Sequence, residues 1–246
     1  LRVAITSSGA SFPKKRIVIN LAPADLPKDA VSLDLAIAIA VLKADGQLSA
    51  AVEDAIFIGE LGLDGDIRPV RGIIGKLLSK ESKSAAMIFI PNSNAEQASL
   101  TGLENVYPVA TLIDLLAHLT GAAPLTKLEP KSSFTAQTSR QSIDMSEIHG
   151  QDAAKRALLI AAAGGHNILM SGPPGTGKSM LAKAFIGVLP PLTREQALEV
   201  THLHSLVTRR YGDVETTPPL RTPHHTASDV ALIGGGHSLR PGEITL

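Results

Sequence analysis

The octapeptide Gly172-Pro173-Pro174-Gly175-Thr176-Gly177-Lys178-Ser179 constrains the fold of this chain more than any other stretch. It satisfies G-x-x-x-x-G-K-[ST] in full. An apolar run, Asn167–Met170, precedes it and predicts a short strand; a helix-forming run, Met180–Leu189, follows it. Glycines at these positions let successive backbone N–H groups converge as an anion-binding nest. The N-terminus of the following helix adds the positive end of its dipole. Lys178 has the reach for β- and γ-phosphate oxygens, and the Ser179 hydroxyl suits a Mg²⁺ ligand position. A plain Gly-Pro turn is the bland alternative, and three placed glycines followed by Lys-Ser between strand and helix argue against it. The spacing predicts a nucleoside triphosphate site running from Gly172 through Met180, with ATP and Mg²⁺ as cofactors.

Binding a nucleotide is not hydrolysing it, which needs a second acidic site to hold the metal and polarise water. No hydrophobic run ending in Asp-Asp or Asp-Glu follows Ser179, and 67 residues separate Ser179 from Leu246. A complete module is expected to continue further, so this Walker B site is expected outside the sequence.

Length and composition bound the rest. The 246 residues leave room for one large domain or two ordinary ones. The formal net charge of zero excludes a wholesale polycation built for nucleic acid, though not a local basic surface. Aromatics are 3% with no Trp, which predicts an aliphatic core and argues against base stacking on aromatic platforms. The absence of Cys excludes a disulfide scaffold, zinc ribbons and a thiol nucleophile, and suits a cytoplasmic setting. The longest apolar run, Leu35–Leu42, has eight residues, too few to span a bilayer. No apolar segment of signal-peptide type follows Arg2.

The chain divides into residues 1–120, a Ser/Thr/Pro-rich linker over 121–146, and residues 147–246. In the first part Arg16–Leu21 predicts a strand and Ser32–Leu42 a buried helix. Asp64-Gly65, between Ala55–Leu63 and Asp66–Val70, predicts a type I′ hairpin turn. Ala86–Ile90 predicts a strand, Ser93-x-x-Glu96 a capping box, and Thr111 the cap of a helix reaching Leu119. In the second part Asp152–Ala163 and Thr193–Leu206 predict helices. Both parts are α/β in character.

Several of these stretches together resemble the YifB/ComM family of magnesium-chelatase-like AAA+ ATPases. One is Ile148-His149-Gly150-Gln151 with Ala154-Lys155-Arg156-Ala157-Leu158 and Ala161–Asn167. Others are Arg221-Thr222-Pro223-His224-His225-Thr226-Ala227-Ser228, Ile233–Gly236 and Arg240-Pro241-Gly242-Glu243-Ile244. Asn20–Lys28, Gly59-Glu60-Leu61 and Arg68–Gly72 carry the resemblance into the first part, so it covers nearly the whole chain. It implies a Lon-like N-terminal α/β domain of the ribosomal-protein-S5 type, followed by an AAA+ P-loop α/β domain that ends before Walker B. It also implies that the N-terminal domain is clipped at its start. Ile148, His149, Gly150 and Gln151 would then lie near the adenine. The resemblance further implies ring-shaped hexamers, ATP hydrolysis, and branched or single-stranded DNA as partner. The activity implied is a helicase that migrates recombination intermediates during natural transformation. A magnesium-chelatase-like assembly motor acting on a protein or cofactor is the alternative.

The Lon-like part raises a third reading. Ser32 and Lys76 occupy positions similar to the serine and lysine of Lon-type proteases, 44 residues apart. Such a dyad needs a lysine able to take the hydroxyl proton. Ala30-Val31 and Leu33-Asp34 depart from the protease pattern, and Asp34 is expected to keep Lys76 charged. The bland expectation is that Ser32 caps a helix and Lys76 is solvated. Seven of the eight histidines lie from His149 to His237, but His202-x-His204 and His224-His225 lack the convergence that metal ligation requires. His224-His225 is a candidate lining of a ring channel. Arg209-Arg210, Arg221 and Arg240 are candidate phosphate contacts.

Overall fold

A computed structural model describes residues 1–21, 30–48, 52–131, 143–208, 211–235 and 240–246. They fall into two units, Leu1–Ser132 with Thr208–Asp213, and Ser133–Val207 with Val214–Leu246. Most of Asn20–Lys28, together with Arg209, Arg210, Gly236 and His237, lies outside the described residues.

The first unit begins α1 (Arg2–Ser7), α2 (Asp34–Ala44), β1 (Ala55–Phe57), β2 (Glu60–Leu61), β3 (Ile67–Arg68). It continues α3 (Ile73–Leu77), α4 (Lys80–Ser84), β4 (Met87–Pro91), α5 (Ala95–Ser99), β5 (Val106–Val109) and α6 (Leu112–Leu119). Its sheet is parallel, in the order β1-β4-β5. Central parallel strands are buried on both faces, which explains why Ile88, Phe89 and Ile90 are all fully buried. Against them packs α2, whose Leu35, Ala38, Ile39 and Leu42 are buried as the apolar run predicts.

The core is less purely aliphatic than composition predicts. Phe57, Phe89 and Tyr107 stand in register on adjacent strands. Their rings therefore stack, with centroids 5.0 and 5.4 Å apart, and His118 of α6 meets Phe89 edge-on at 5.5 Å. Few aromatics suffice when the register places three on one face.

Other local expectations are corrected. The Ala55–Leu63 run splits, its first part joining the parallel sheet and Glu60–Leu61 pairing antiparallel with Ile67–Arg68. The hairpin loop is Leu63-Asp64-Gly65, closed by Gly62 N–H to the Asp66 carbonyl at 2.9 Å. Gly65 has φ 94° whereas Asp64 is not at positive φ, so this is a three-residue loop rather than type I′. Arg16–Leu21 forms no strand ladder among the described residues, and Val18 is 78% exposed. The Ser93/Glu96 capping box does not form. Asn94 is fully buried and pairs with the Val70 N–H and carbonyl at 3.0 and 3.2 Å, while Glu96 pairs with Lys131 at 2.7 Å. Thr111 does cap α6, accepting from Asp114 N–H at 3.1 Å.

The second unit contains α7 (Asp152–Gly164), α8 (Lys178–Ile186), α9 (Arg194–Val207), α10 (Asp229–Ile233) and a short ladder of β6 (Gly234–Gly235) with β7 (Arg240–Pro241). The three longer helices follow the sequence pattern. The strand expected over Asn167–Met170 is absent from the described residues, and Leu169 is 93% exposed. A strand exists only through a neighbour's hydrogen bonds, and no described segment supplies them here. No described helix is long and apolar enough to cross a membrane.

Candidate nucleotide-binding site

The glycine-rich octapeptide forms the turn that leads into α8, and its backbone explains its composition. Gly172, Gly175 and Gly177 have φ of 154°, 81° and 84°. A Cβ on Gly175 or Gly177 would meet nothing within 4 Å, so the requirement there is conformational rather than steric. Gly177 is also the residue from which α8 starts, and Leu181 N–H donates to its carbonyl at 2.9 Å. Lys178 and Ser179 therefore occupy the first turn of a nine-residue helix, where N–H groups lack intrahelical acceptors.

The Lys178 ammonium folds back over the loop. It donates to the Gly172 carbonyl at 2.9 Å, the Pro173 carbonyl at 2.6 Å and the Thr176 hydroxyl at 3.3 Å. Thr176 in turn donates its hydroxyl proton to the Pro173 carbonyl at 3.0 Å. The cation thus sits at the mouth of the turn. Ser179 is exposed beside it, and Pro173, Pro174 and Met180 form an exposed rim.

The predicted adenine-side segment lies next to this loop, and its four residues do different things. Ile148 is buried with Leu158, Leu181 and Ala184, pinning the segment to the helix that carries the lysine. Its carbonyl accepts from the Lys155 ammonium. His149 and Gly150 are exposed, whereas Gln151 reaches from its amide to the Thr176 carbonyl at 3.3 Å. Upstream, Asp144 and Glu147 form a reciprocal capping box, and hydrogen bonds from Ser146 hold the Asp144 carboxyl below its ordinary range. The Gln151 and Lys155 contacts were not legible in the sequence. They join residues 25 and seven apart through backbone carbonyls, which leave no mark on residue type.

Among the described residues no group of three or more His, Asp or Glu converges as a metal site. The Ser179 hydroxyl and the helix N-terminus fit the ligand and phosphate positions for Mg²⁺-nucleotide, and no described acidic cluster completes them. The histidine pairs go elsewhere. His224 and His225 are exposed, their rings tilted against each other with centroids 4.2 Å apart. His202 is partly buried on α9, its Nδ1 has no hydrogen-bond partner among the described residues, and burial pushes its imidazole below the ordinary value. Arg221 is engaged in a two-pronged pair with Glu243, both contacts 2.7 Å. This hydrogen bonding lowers the Glu243 carboxyl's pKa and directs the guanidinium to a protein carboxylate.

In the first unit the structure brings Ser32 and Lys76 together. Ser32 lies in a 3₁₀ turn, Ala30–Leu33, and is 5% exposed; Lys76 of α3 donates to its hydroxyl at 3.4 Å. Ser32 is therefore not the cap of α2, whose N-cap position is Leu33. The Asp34 carboxylate accepts from Leu61 N–H at 3.5 Å.

Comparison with known proteins finds a family model for each of two stretches of the chain. Residues 144–246 match the family model described as magnesium chelatase, subunit ChlI, and residues 1–94 match that described as subunit ChlI of Mg-chelatase. The chain is 43% identical over 250 residues to competence protein ComM of Haemophilus influenzae, covering all of this chain and 49% of ComM. It is 41% identical over 248 residues to the uncharacterized protein YifB of Escherichia coli K12, covering all of this chain and 48% of YifB. The Salmonella typhimurium YifB is 42% identical over 250 residues, with the same coverage. The chain spans about half the length of the curated relatives it matches. With identity of this level over its whole length, and ChlI models on both parts, the chain belongs to the ComM/YifB family of magnesium-chelatase-like AAA+ P-loop proteins.

Proposed function

We propose that this chain supplies the nucleotide-binding part of a hexameric, ATP-driven motor that moves branched or single-stranded DNA during recombination in natural transformation. The observation that carries the reading is the loop itself. Its glycines take positive-φ conformations that favour glycine, with the Lys178 cation at the mouth and Ser179 on the first helical turn. Similarity to a protein named for competence supports DNA as the partner.

In this reading the backbone N–H groups from Gly175 to Ser179 hold the phosphates. Lys178 exchanges its loop carbonyls for phosphate oxygens and draws off negative charge. The Ser179 hydroxyl would hold Mg²⁺, which would supply neutralisation of phosphate charge when bound. Ile148, His149, Gly150 and Gln151 border the base, and Pro173, Pro174 and Met180 shape the rim. His224-His225 is a candidate surface for DNA.

The test is branched-DNA unwinding and DNA-stimulated ATP turnover by the full-length polypeptide, with Lys178→Ala as control. Both activities should be present and should vanish in the variant. ATP turnover that DNA leaves unchanged would overturn the DNA reading in favour of an assembly motor acting on a protein or cofactor partner.

One observation favours a second reading, an ATP-regulated peptidase: the Lys76 contact to the buried Ser32 hydroxyl. In this reading Ser32 Oγ bonds to a substrate carbonyl carbon as its proton passes to the Lys76 amine, and the scissile C–N bond then breaks as Lys76 returns that proton to the leaving amine. Covalent labelling of Ser32 by an active-serine reagent, lost in Lys76→Ala, is the expected result. An unlabelled Ser32 in folded protein would dispose of it.

A further inference from the structure

Gln151 is the one non-glycine residue at positive φ among the described residues, at 61°. This backbone region is disfavoured for a residue with a Cβ, and such conformations persist where surroundings over-determine them. What Gln151 obtains in exchange is visible. Its backbone serves as the N-cap of α7 and its side-chain amide reaches across to donate to the Thr176 carbonyl at 3.3 Å.

The consequence follows from peptide geometry. A trans peptide carries its C=O and N–H on opposite sides. Fixing the Thr176 carbonyl toward Gln151 therefore turns the Gly177 N–H to the opposite side. Thr176 is also the residue whose hydroxyl touches both Lys178 and the Pro173 carbonyl. Gln151 thus grips the one residue of the turn that contacts both its start and its lysine. Its own segment is anchored independently, since Ile148 is buried against Leu181 and Lys155 donates to the Ile148 carbonyl.

We propose that Gln151 is a positioning residue for nucleotide binding: through the Thr176 carbonyl it orients the Thr176–Gly177 peptide so that its N–H faces the phosphates. It links the segment bordering the base to the loop holding the phosphates. This rests on the nucleotide-site reading above and adds a residue that the loop motif does not contain.

Two variants of the full-length polypeptide separate this role from mere folding. Gln151→Gly removes the amide and relieves the backbone, so its Tm should stay within about 2 °C of the parent, strain relief offsetting the entropy glycine adds to the unfolded chain. Gln151→Met keeps length and backbone but cannot donate. Both should weaken the dissociation constant for a non-hydrolysable ATP analogue about fivefold, the scale of one neutral hydrogen bond. The KM for ATP should rise by a similar factor with kcat within about twofold, since the contact orients rather than reacts. Lys178→Ala keeps the two ideas apart. If it still binds the analogue, the nucleotide-site reading fails. If it loses binding while both folded Gln151 variants bind as the parent does, the positioning role alone is overturned.

Discussion

The two units are built to opposite priorities. The first closes a core in which Leu35, Ile39, Leu42, Phe89, Leu112 and Leu115 have essentially no exposure, around an in-register parallel sheet. The second gathers only Ile148, Leu158, Leu181 and Ala184 into a comparable cluster among the described residues. Both units leave large apolar side chains at 50% exposure or more, Val18 and Leu63 in the first, Leu169 and Ile233 in the second. What organises the second unit near its loop is polar: carbonyls gathered around Lys178 and the Gln151 amide on Thr176. Burial scales with stability, whereas a ligand-gripping turn needs oriented dipoles held by few contacts. Stability and chemistry are therefore separable in this chain by single substitutions.

The largest effect should come from Phe89→Ala. Phe89 is fully buried and stacked on two rings, so its loss should cost about 3–5 kcal/mol in chemical denaturation of the first unit. Affinity for an ATP analogue in protein that remains folded should be unchanged; a parallel loss of affinity would break the separation. Lys178→Ala makes the converse prediction. Nucleotide affinity should fall by about two orders of magnitude, the scale of a charge-assisted phosphate contact, with Tm nearly unchanged. Thr111→Ala removes the α6 cap and should lower stability by about 1 kcal/mol without touching nucleotide binding. The smallest effect concerns His202. Its folded imidazole is depressed by burial, so the unfolded chain binds more protons as pH falls below the ordinary value of 6.5. The stability it contributes is present above that value and lost as pH falls through the lower folded one. His202→Gln should flatten this acid-side decline in a pH series of unfolding midpoints; an unaltered slope would show that His202 does not carry it.

What was legible in the sequence follows the same division. The loop was readable because its chemistry is contiguous: three glycines, a lysine and a serine act within eight residues. Helices α2, α6, α7 and α9 were readable because periodicity and helix-forming composition are local. Partnership was not. Asn167–Met170 has strand composition without a described neighbour, and Ser93 lost its capping role because the adjacent Asn94 amide found Val70. An Asp-Gly pair marked the hairpin but did not distinguish a two-residue loop from a three-residue one. The Ser32–Lys76 approach joined positions 44 apart, yet the cap expected of Ser32 was displaced to Leu33 by a 3₁₀ turn. Gln151 was marked by its family resemblance, but its contact with Thr176 carried no signal, because that partner is a backbone carbonyl.

The three oxygens around the Lys178 ammonium have a thermodynamic corollary. An anion arriving at this turn does not meet a bare cation; it competes in a ligand substitution. Its gain is the difference between phosphate oxygens and the loop's two carbonyls and one hydroxyl as partners for the same ammonium. A single weakly charged oxygen replaces too little to win, whereas a chain of phosphates replaces several donors' partners at once. An anion that brings several oxygens at once is therefore expected to displace these partners where a small one does not.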